Sequence, residues 1–234
     1  MNRAAVSFLL PILLFLAACA KNSNAEFTQK GTAKPDNSAA TAASSIEGGS
    51  ISGTTYKNPA FGITFQIPAG LVPASFDSLR ALNDSLESST RTIMLPPDAV
   101  KKTGSPHPIP PKYIFYASKK GEWDGRQTNI PSVFVSVRPT RTRSLDTETF
   151  EQTANNAAIV SDMKMLGSPS TFMVNKHAFF RADFEHGIGA LQAFQSLIQT
   201  MIGDNLLEVK INGYSLEELQ QTAHFLQTIS ITQN

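Results

Sequence analysis

The chain has 234 residues, a formal net charge of +1 at pH 7 and a hydrophobic content of 41%. A nucleic-acid-binding domain is expected to be strongly basic, so this near-neutral balance argues against nucleic acid as a partner. The chain has one cysteine, which excludes a framework of intrachain disulfides. A folded domain must therefore be stabilised by burial of apolar side chains.

The first residues have the features of a secretory signal peptide. Arg3 supplies a positive charge, residues 4–18 are almost entirely apolar, and the run ends in small residues. A helix that spans a bilayer needs about 20 apolar residues, whereas this run is shorter and is interrupted by Pro11. The pattern predicts a signal peptide over residues 1–18 and not a permanent membrane span.

The end of that run, Leu16-Ala17-Ala18-Cys19, resembles the lipobox of bacterial lipoproteins. The resemblance implies that the chain is cut before Cys19, that the Cys19 thiol is acylated, and that the acyl chains anchor the protein in the lipid bilayer of the cell envelope. In enteric bacteria, Ala20 in place of aspartate after the cysteine implies sorting to the outer membrane, facing the periplasm. The alternative is a plain secreted protein whose cysteine has no such role.

The next segment, residues 19–55, is dominated by Ala, Ser, Thr, Gly and Asn, and its only large apolar residues are Phe27, Ile46 and Ile51. Such a composition buries too little apolar surface to offset the entropy lost on ordering. We therefore predict a flexible tether with a root-mean-square span of about 30–35 Å.

The remaining residues, 56–234, have the usual length of one domain, and they predict an α+β fold in which helices flank an antiparallel sheet. Alternation of apolar and polar residues predicts a hairpin at 56–68 and further strands at 113–117, 132–137, 171–174, 177–185, 191–201, 206–211 and 229–231. Apolar residues at helical spacing predict helices at 76–86, 146–166 and 216–226, with N-caps at Ser75, at Ser144 or Asp146, and at Ser215. Loops are predicted at 96–111, which is rich in proline, and at 119–130.

The order of these elements resembles the PsbP-like fold, which is named for an extrinsic protein of photosystem II and is shared with many small bacterial lipoproteins. The resemblance rests on Tyr56 with residues 61–68, on residues 179–184, and on residues 215–231. It implies an α+β sandwich. Because members of this fold serve mainly as binding or assembly factors, it also implies a function of that kind. No metal or chloride ligands of the photosystem protein carry over to this sequence.

One candidate site is the charged stretch that contains Arg181, Asp183, Glu185 and His186. Strand alternation predicts that Arg181, Asp183 and Glu185 share one sheet face, where two carboxylates and a histidine provide ligands for a cation. The alternative interpretation is a solvated face with weak ion pairs.

A second candidate is a basic rim formed by Arg138, Arg141 and Arg143 with Lys119, Lys120 and Arg126 of the neighbouring loop. Guanidinium groups suit phosphate or carboxylate partners, although a solvated strand end gives the same pattern. Trp123, the single tryptophan, lies in the same polar loop and either contacts a partner or covers a sheet edge.

These observations predict a non-enzymatic, membrane-anchored binding or assembly module with an unknown envelope protein as partner and with no cofactor. The alternative is a hydrolase, or an enzyme that depends on a metal or a small ligand, built around Asp183, Glu185 and His186. No nucleophile elbow, zinc-protease motif or complete dinucleotide fingerprint supports that alternative.

Overall fold

The computed structural model describes residues 49–92, 111–121, 131–140, 144–188 and 191–232. The helices are α1 Phe76–Thr92, α2 Thr147–Val160 and α3 Leu216–Ala223, and a 3-10 helix spans His224–Thr228. The strands are β1 Ser50–Ser52, β2 Thr55–Asn58, β3 Ile63–Gln66, β4 Val72–Pro73, β5 Lys112–Ser118, β6 Ser132–Pro139, β7 Lys164–Met165, β8 Ser170–Val174, β9 His177–Ile188, β10 Leu191–Ile202, β11 Asn205–Gly213 and β12 Ser230–Ile231. None of the helices in these ranges combines the length and apolar content that a membrane crossing requires.

The strands form two antiparallel sheets, which confirms the α+β prediction. The large sheet has the order β4-β5-β6-β11-β10-β9-β7, with β8 paired to β9, and the small sheet has the order β1-β2-β3-β12. The predicted turn at Asn175 and Lys176 is present, with φ values of 45° and 71°. Positive φ at both positions is the geometry of a two-residue type I′ hairpin turn.

The small sheet begins earlier than the sequence predicts. Residues Ser50–Ser52 pair with 55–57 of β2, and Ile51 packs against the main core. The prediction that the linker extends to residue 55 is therefore wrong for its last residues, because Gly53 adopts a φ of 57° and allows a tight turn back onto β2. The signal peptide, Cys19 and the rest of the predicted tether lie outside the described residues.

The two sheets pack face to face around the largest apolar cluster. Tyr56, Phe65 and Phe115 lie at its centre, with ring centroids 4.9–5.1 Å apart. The pairing of β5 with β6 shifts between Tyr113 and Phe115, so Ile114 is the extra residue of a bulge. The buried Tyr56 hydroxyl donates to the Ile114 carbonyl oxygen at 2.9 Å and thereby joins the small sheet to the bulge.

The opposite face of the large sheet is covered by α1 and α2, which form separate apolar clusters with it. Helix α1 has the predicted cap, because the Ser75 hydroxyl accepts from the Ser78 amide at 3.2 Å. Helix α2 is capped by Asp146, whose carboxylate accepts from the Thr149 amide at 2.7 Å. That bond lowers the pKa of Asp146.

Helix α2 ends at Val160 and does not extend to 166 as predicted. The chain turns at Asp162, where φ is 50°, and Lys164–Met165 then forms β7 against β9. The helical spacing of apolar residues continues through Met163 in the sequence, although the helix has ended, because the Met163 side chain packs on the same apolar cluster as the helix. The predicted C-terminal helix also differs in the structure: it becomes a 3-10 helix from His224.

Candidate functional site

The charged stretch of β9 is organised by an internal ion pair. The Arg181 Nε atom donates to Asp183 Oδ1 at 2.8 Å, and Arg181 Nη2 donates to Ser196 Oγ at 3.1 Å. Ser196 Oγ in turn donates to the same Asp183 oxygen. The Asp183 carboxylate is therefore already paired with a cation and hydrogen-bonded by its own sheet neighbours.

The structure does not bring His186 together with Asp183 and Glu185. Pairing of β9 with β10 is continuous, so side chains alternate regularly and His186 lies on the opposite sheet face from the two carboxylates. Glu185 Oε1 accepts a hydrogen bond from Gln192 Nε2. Within the described ranges, no three His, Cys, Asp or Glu side chains are grouped as a metal site requires.

The predicted basic rim is also divided. Ser118 pairs with Ser132, whereas Arg138 lies at the other end of β6, so Lys119 and Lys120 are about 20 Å from Arg138 along the strands. Lys119 Nζ instead lies 3.6 Å from a carboxylate oxygen of Glu218. Trp123, Arg126, Arg141 and Arg143 lie outside the described residues.

Arg138 itself lines a cleft on the helix-covered face of the large sheet, beside α2. The cleft has a volume of about 270 Å³. We call it the polar cleft and define it by the residues that line it: Pro111, Ser136, Arg138, Thr153, Ala157, Leu197, Glu208 and Lys210.

The polar floor of this cleft follows from the alternation of two adjacent strands. In β11, Leu207, Val209 and Ile211 point into the main core, which places Glu208 and Lys210 on the other face. In β6, the same alternation places Ser136 and Arg138 there, and Ser136 is directly opposite Glu208. Strands β6 and β11 thus place polar side chains next to each other on the sheet face that α2 covers, and apolar residues surround them.

A hydrogen-bonded network holds Glu208 in place. Lys210 Nζ lies 3.1 Å from Glu208 Oε1, and Gln199 Nε2 donates to Glu208 Oε2 at 2.7 Å. Gln199 is only 1% exposed, and its side-chain amide oxygen has no hydrogen-bond donor among the described residues. Buried polar side chains such as these are retained in a fold at a cost in stability, which makes the network a candidate for function.

The pKa values in the cleft reflect this network. Burial by itself lowers the pKa of Lys210, and the nearby charge of Arg138 adds a small lowering. The negative charge of Glu208, its hydrogen bond to Lys210 and the proximity of the Tyr113 phenol together outweigh these effects, so the pKa of Lys210 is raised. Burial also raises the pKa of Tyr113, which lies opposite Ser136 on the same face. Lys210 is therefore a cation and Tyr113 a neutral phenol at neutral pH.

Arg138 is the cation of this cleft that has no counter-ion among the described residues. Its guanidinium has no ion pair or hydrogen bond to any other described residue. With Lys210 and Glu208, the formal charge of the cleft is one positive unit. A guanidinium of this kind binds carboxylate or phosphate through two parallel hydrogen bonds.

Arg138 is among the residues that the sequence predicts as anion contacts, whereas Ser136, Gln199, Glu208 and Lys210 are not. The available signal was the alternation in residues 206–211 and 132–137, where one face is apolar and the other holds polar residues in adjacent strands. That signal has meaning only once β6, β11 and β10 are known to be neighbours and α2 is known to cover their outer face.

A second groove, of about 480 Å³, lies between the β8–β9 hairpin and the C-terminal helices. The residues that line it include Val174, Leu226, Arg181 and the exposed Met173. Because Arg181 is already paired with Asp183, this groove has less unused charge than the polar cleft.

Comparisons with known proteins give little further guidance. No family model matches the chain, and no curated protein matches it. Among solved structures, the chain is similar to the solution structure of cyanobacterial PsbP (CyanoP) from Synechocystis sp. PCC 6803, at 8% sequence identity and a TM-score of 0.45. The similarity covers 76% of this chain and 91% of the cyanobacterial chain.

Proposed function

We propose that this chain is a lipid-anchored binding module of the bacterial cell envelope, and that it binds its partner without transforming it chemically. In this proposal, residues 1–18 are removed, Cys19 is acylated, and the protein faces the periplasm from the outer membrane. The lipobox-like Leu16-Ala17-Ala18-Cys19 supports the anchoring. Each buried CH₂ of an acyl chain contributes about 0.8 kcal/mol, so two chains are enough for stable attachment.

The contact that we propose is the polar cleft, which holds an anionic group supplied by the partner. The observation that carries this proposal is the Arg138 guanidinium, which has no partner among the described residues and lies beside the Lys210–Glu208 pair. Net positive charge attracts an anion to the cleft, and the fork of Arg138 orients it. The net charge of the cleft and the Arg138 guanidinium are enough to bind and orient an anion. We therefore propose that the cleft recognises a partner and does not catalyse a reaction.

A crosslinking experiment in native envelopes tests the contact. A photoreactive residue replaces Thr153, which lines the cleft from α2, and the crosslinked protein is identified. We expect Arg138→Gln to reduce the crosslink at least tenfold. Lys57→Gln removes the same charge from an exposed position in β2 and should leave the crosslink unchanged. An Arg138→Gln chain that crosslinks as well as the parent chain would contradict the proposed contact.

The anchoring is tested separately. Cys19→Ser should leave the precursor uncleaved or release the protein from the membrane fraction, since the acylated sulfur is then missing. A Cys19→Ser protein that is processed normally and sediments with membranes would refute the anchor without bearing on the cleft.

A further inference from the structure

The polar cleft contains the carboxylate of Glu208 between two cations, Arg138 and Lys210. Glu208 and Lys210 are two residues apart on β11, and Ser136 lies opposite Glu208, which makes Arg138 a diagonal neighbour of Glu208. Diagonal neighbours on one face of an antiparallel pair are about 7–8 Å apart, within reach of long side chains. An anion that pairs with Arg138 is therefore bound close to Glu208.

Glu208 has capacity to accept further hydrogen bonds. One of its oxygens contacts Lys210 Nζ and the other accepts from Gln199 Nε2. Each carboxylate oxygen has two lone pairs, so each can accept one more donor. The Glu208 side chain is 16% exposed, and it lines the cleft, so a bound molecule can reach it.

The size of the cleft restricts the ligand. Its volume of about 270 Å³ is slightly below the range of about 300–1,000 Å³ that is usual for small-molecule sites. A group of only a few heavy atoms fits, such as a short hydroxy acid, an amino acid or one acidic residue of a protein.

We propose that the polar cleft binds a singly charged carboxylate that has a neighbouring hydroxyl or amino group, and that Glu208 sets this specificity. Arg138 pairs with the carboxylate, and Glu208 accepts the hydrogen bond of the neighbouring donor. A dianion is disfavoured because its second negative charge lies against Glu208 and has no proton to donate. This inference rests on the proposed function and adds the ligand class and the residue that selects it.

The test uses the full lipidated chain in detergent micelles at pH 7, titrated by calorimetry with sodium lactate, sodium acetate and sodium sulfate. Lactate has both the carboxylate and the donor, acetate lacks the donor, and sulfate has a second charge. We expect lactate to bind more tightly than acetate, and at least tenfold more tightly than sulfate. Equal affinity for lactate and sulfate in the unmodified chain would overturn the proposal, and so would the absence of lactate binding.

Two variants separate the roles of the side chains. Arg138→Gln should abolish binding of all three anions. Glu208→Gln should weaken lactate and strengthen sulfate, so that the preference falls at least tenfold. Glu217→Gln, which removes the same charge from an exposed position in α3, should change neither. If Glu208→Gln retains the full preference for lactate, Glu208 does not set specificity. If that variant does not fold, the order of the three affinities in the unmodified chain still tests the proposed ligand class.

The source of the carboxylate is determined by adding lactate to the crosslinking experiment. If lactate displaces the crosslinked partner, an acidic group of the partner occupies the cleft. If lactate binds and the crosslink persists, the ligand is a free small carboxylate. A crosslink that is insensitive to Arg138→Gln while lactate binds as expected refutes the proposed contact but not the ligand class. If Arg138→Gln reduces the crosslink as expected but lactate does not bind, the ligand class alone is refuted.

Discussion

Replacement of Tyr56 by Phe tests the connection between the two sheets. Tyr56 is 0% exposed, and its hydroxyl donates to the carbonyl oxygen of Ile114 and accepts from Asn58 Nδ2 at 3.1 Å. Ile114 is the bulged residue, which has no cross-strand partner in the register of β5 with β6. The substitution therefore deprives a buried carbonyl and a buried amide of a partner, while the aromatic ring keeps its packing.

The magnitude follows from these two groups. A buried polar group left without a partner costs about 1–3 kcal/mol, so we expect Tyr56→Phe to lower the free energy of unfolding by roughly 3 kcal/mol. In a domain of this size, such a loss lowers Tm by about 6–12 °C. Tyr214→Phe, at an exposed tyrosine, is the matched control and should change Tm very little.

The same hydroxyl predicts a pH dependence. Burial raises the pKa of Tyr56 to about 12, against a smaller lowering by the hydrogen bond from Asn58. The folded chain then holds this proton more tightly than the unfolded chain, whose tyrosine has a pKa of about 10. The resulting stability is fully present below pH 10 and is lost as pH rises to about 12, by roughly 3 kcal/mol for a shift of two units.

Urea unfolding at pH 7 and at several values between pH 10 and 12 measures both effects. The unmodified chain should lose stability steeply in the alkaline range, and Tyr56→Phe should lose about 3 kcal/mol less over the same interval. If the variant is as stable as the parent chain at pH 7 and has the same alkaline slope, the hydroxyl does not hold the bulge.

Three further substitutions test local features by urea unfolding. Asn83→Ala removes two hydrogen bonds of 2.8 Å between the Asn83 side chain and the backbone of Tyr113, and we expect a loss of about 2 kcal/mol; a neutral result would mean that water replaces both bonds. Gly62→Ala places a Cβ 2.1 Å from a backbone carbonyl oxygen, whereas Gly53→Ala meets no atom within 4 Å. Both glycines have positive φ, so both substitutions strain the backbone, and the difference between their losses of unfolding free energy measures the clash alone. We expect Gly62→Ala to lose more than Gly53→Ala by over about 1 kcal/mol. Equal losses would refute the clash. Lys176 has a φ of 71°, which strains any residue that has a Cβ. Lys176→Gly removes that strain and should raise the free energy of unfolding by about 0.5–1 kcal/mol. A loss of stability would contradict a strained turn.

Strand and cap signals in the sequence predicted much of the fold because they are local. The alternation in 177–185, the Asn175-Lys176 turn and the Ser215 cap each depend on neighbouring residues, and the structure has all three. The predicted end of α2 at residue 166 is wrong, because Met163 packs on the same apolar cluster as the helix after the backbone has already turned. The sequence does not predict strand β1, because its pairing depends on β2 and its side chains are mostly small and polar.

The candidate site was less predictable because it depends on which strands are neighbours. The run of arginines points to Arg138, but the other charged residues of the cleft, Glu208 and Lys210, are about 70 residues away in sequence and are brought close by the pairing of β6 with β11. The proposed cluster of Asp183, Glu185 and His186 failed for a local reason, since an odd spacing places His186 on the other face of the strand. The ion pair of Arg181 with Asp183 then accounts for the charged stretch in terms of stability.

The most direct test of anion binding in the polar cleft is to observe the Arg138 side chain while an anion is added. In the ¹⁵N-labelled chain in micelles, the Nε–Hε signals of Arg138 and Arg181 can be followed during titration with lactate. We expect the Arg138 signal and the backbone amide of Ser136 to shift with one common dissociation constant, while Arg181, held by Asp183, stays in place. An unchanged Arg138 signal, or a shift confined to Arg181, would show that the polar cleft is not where this chain binds an anion.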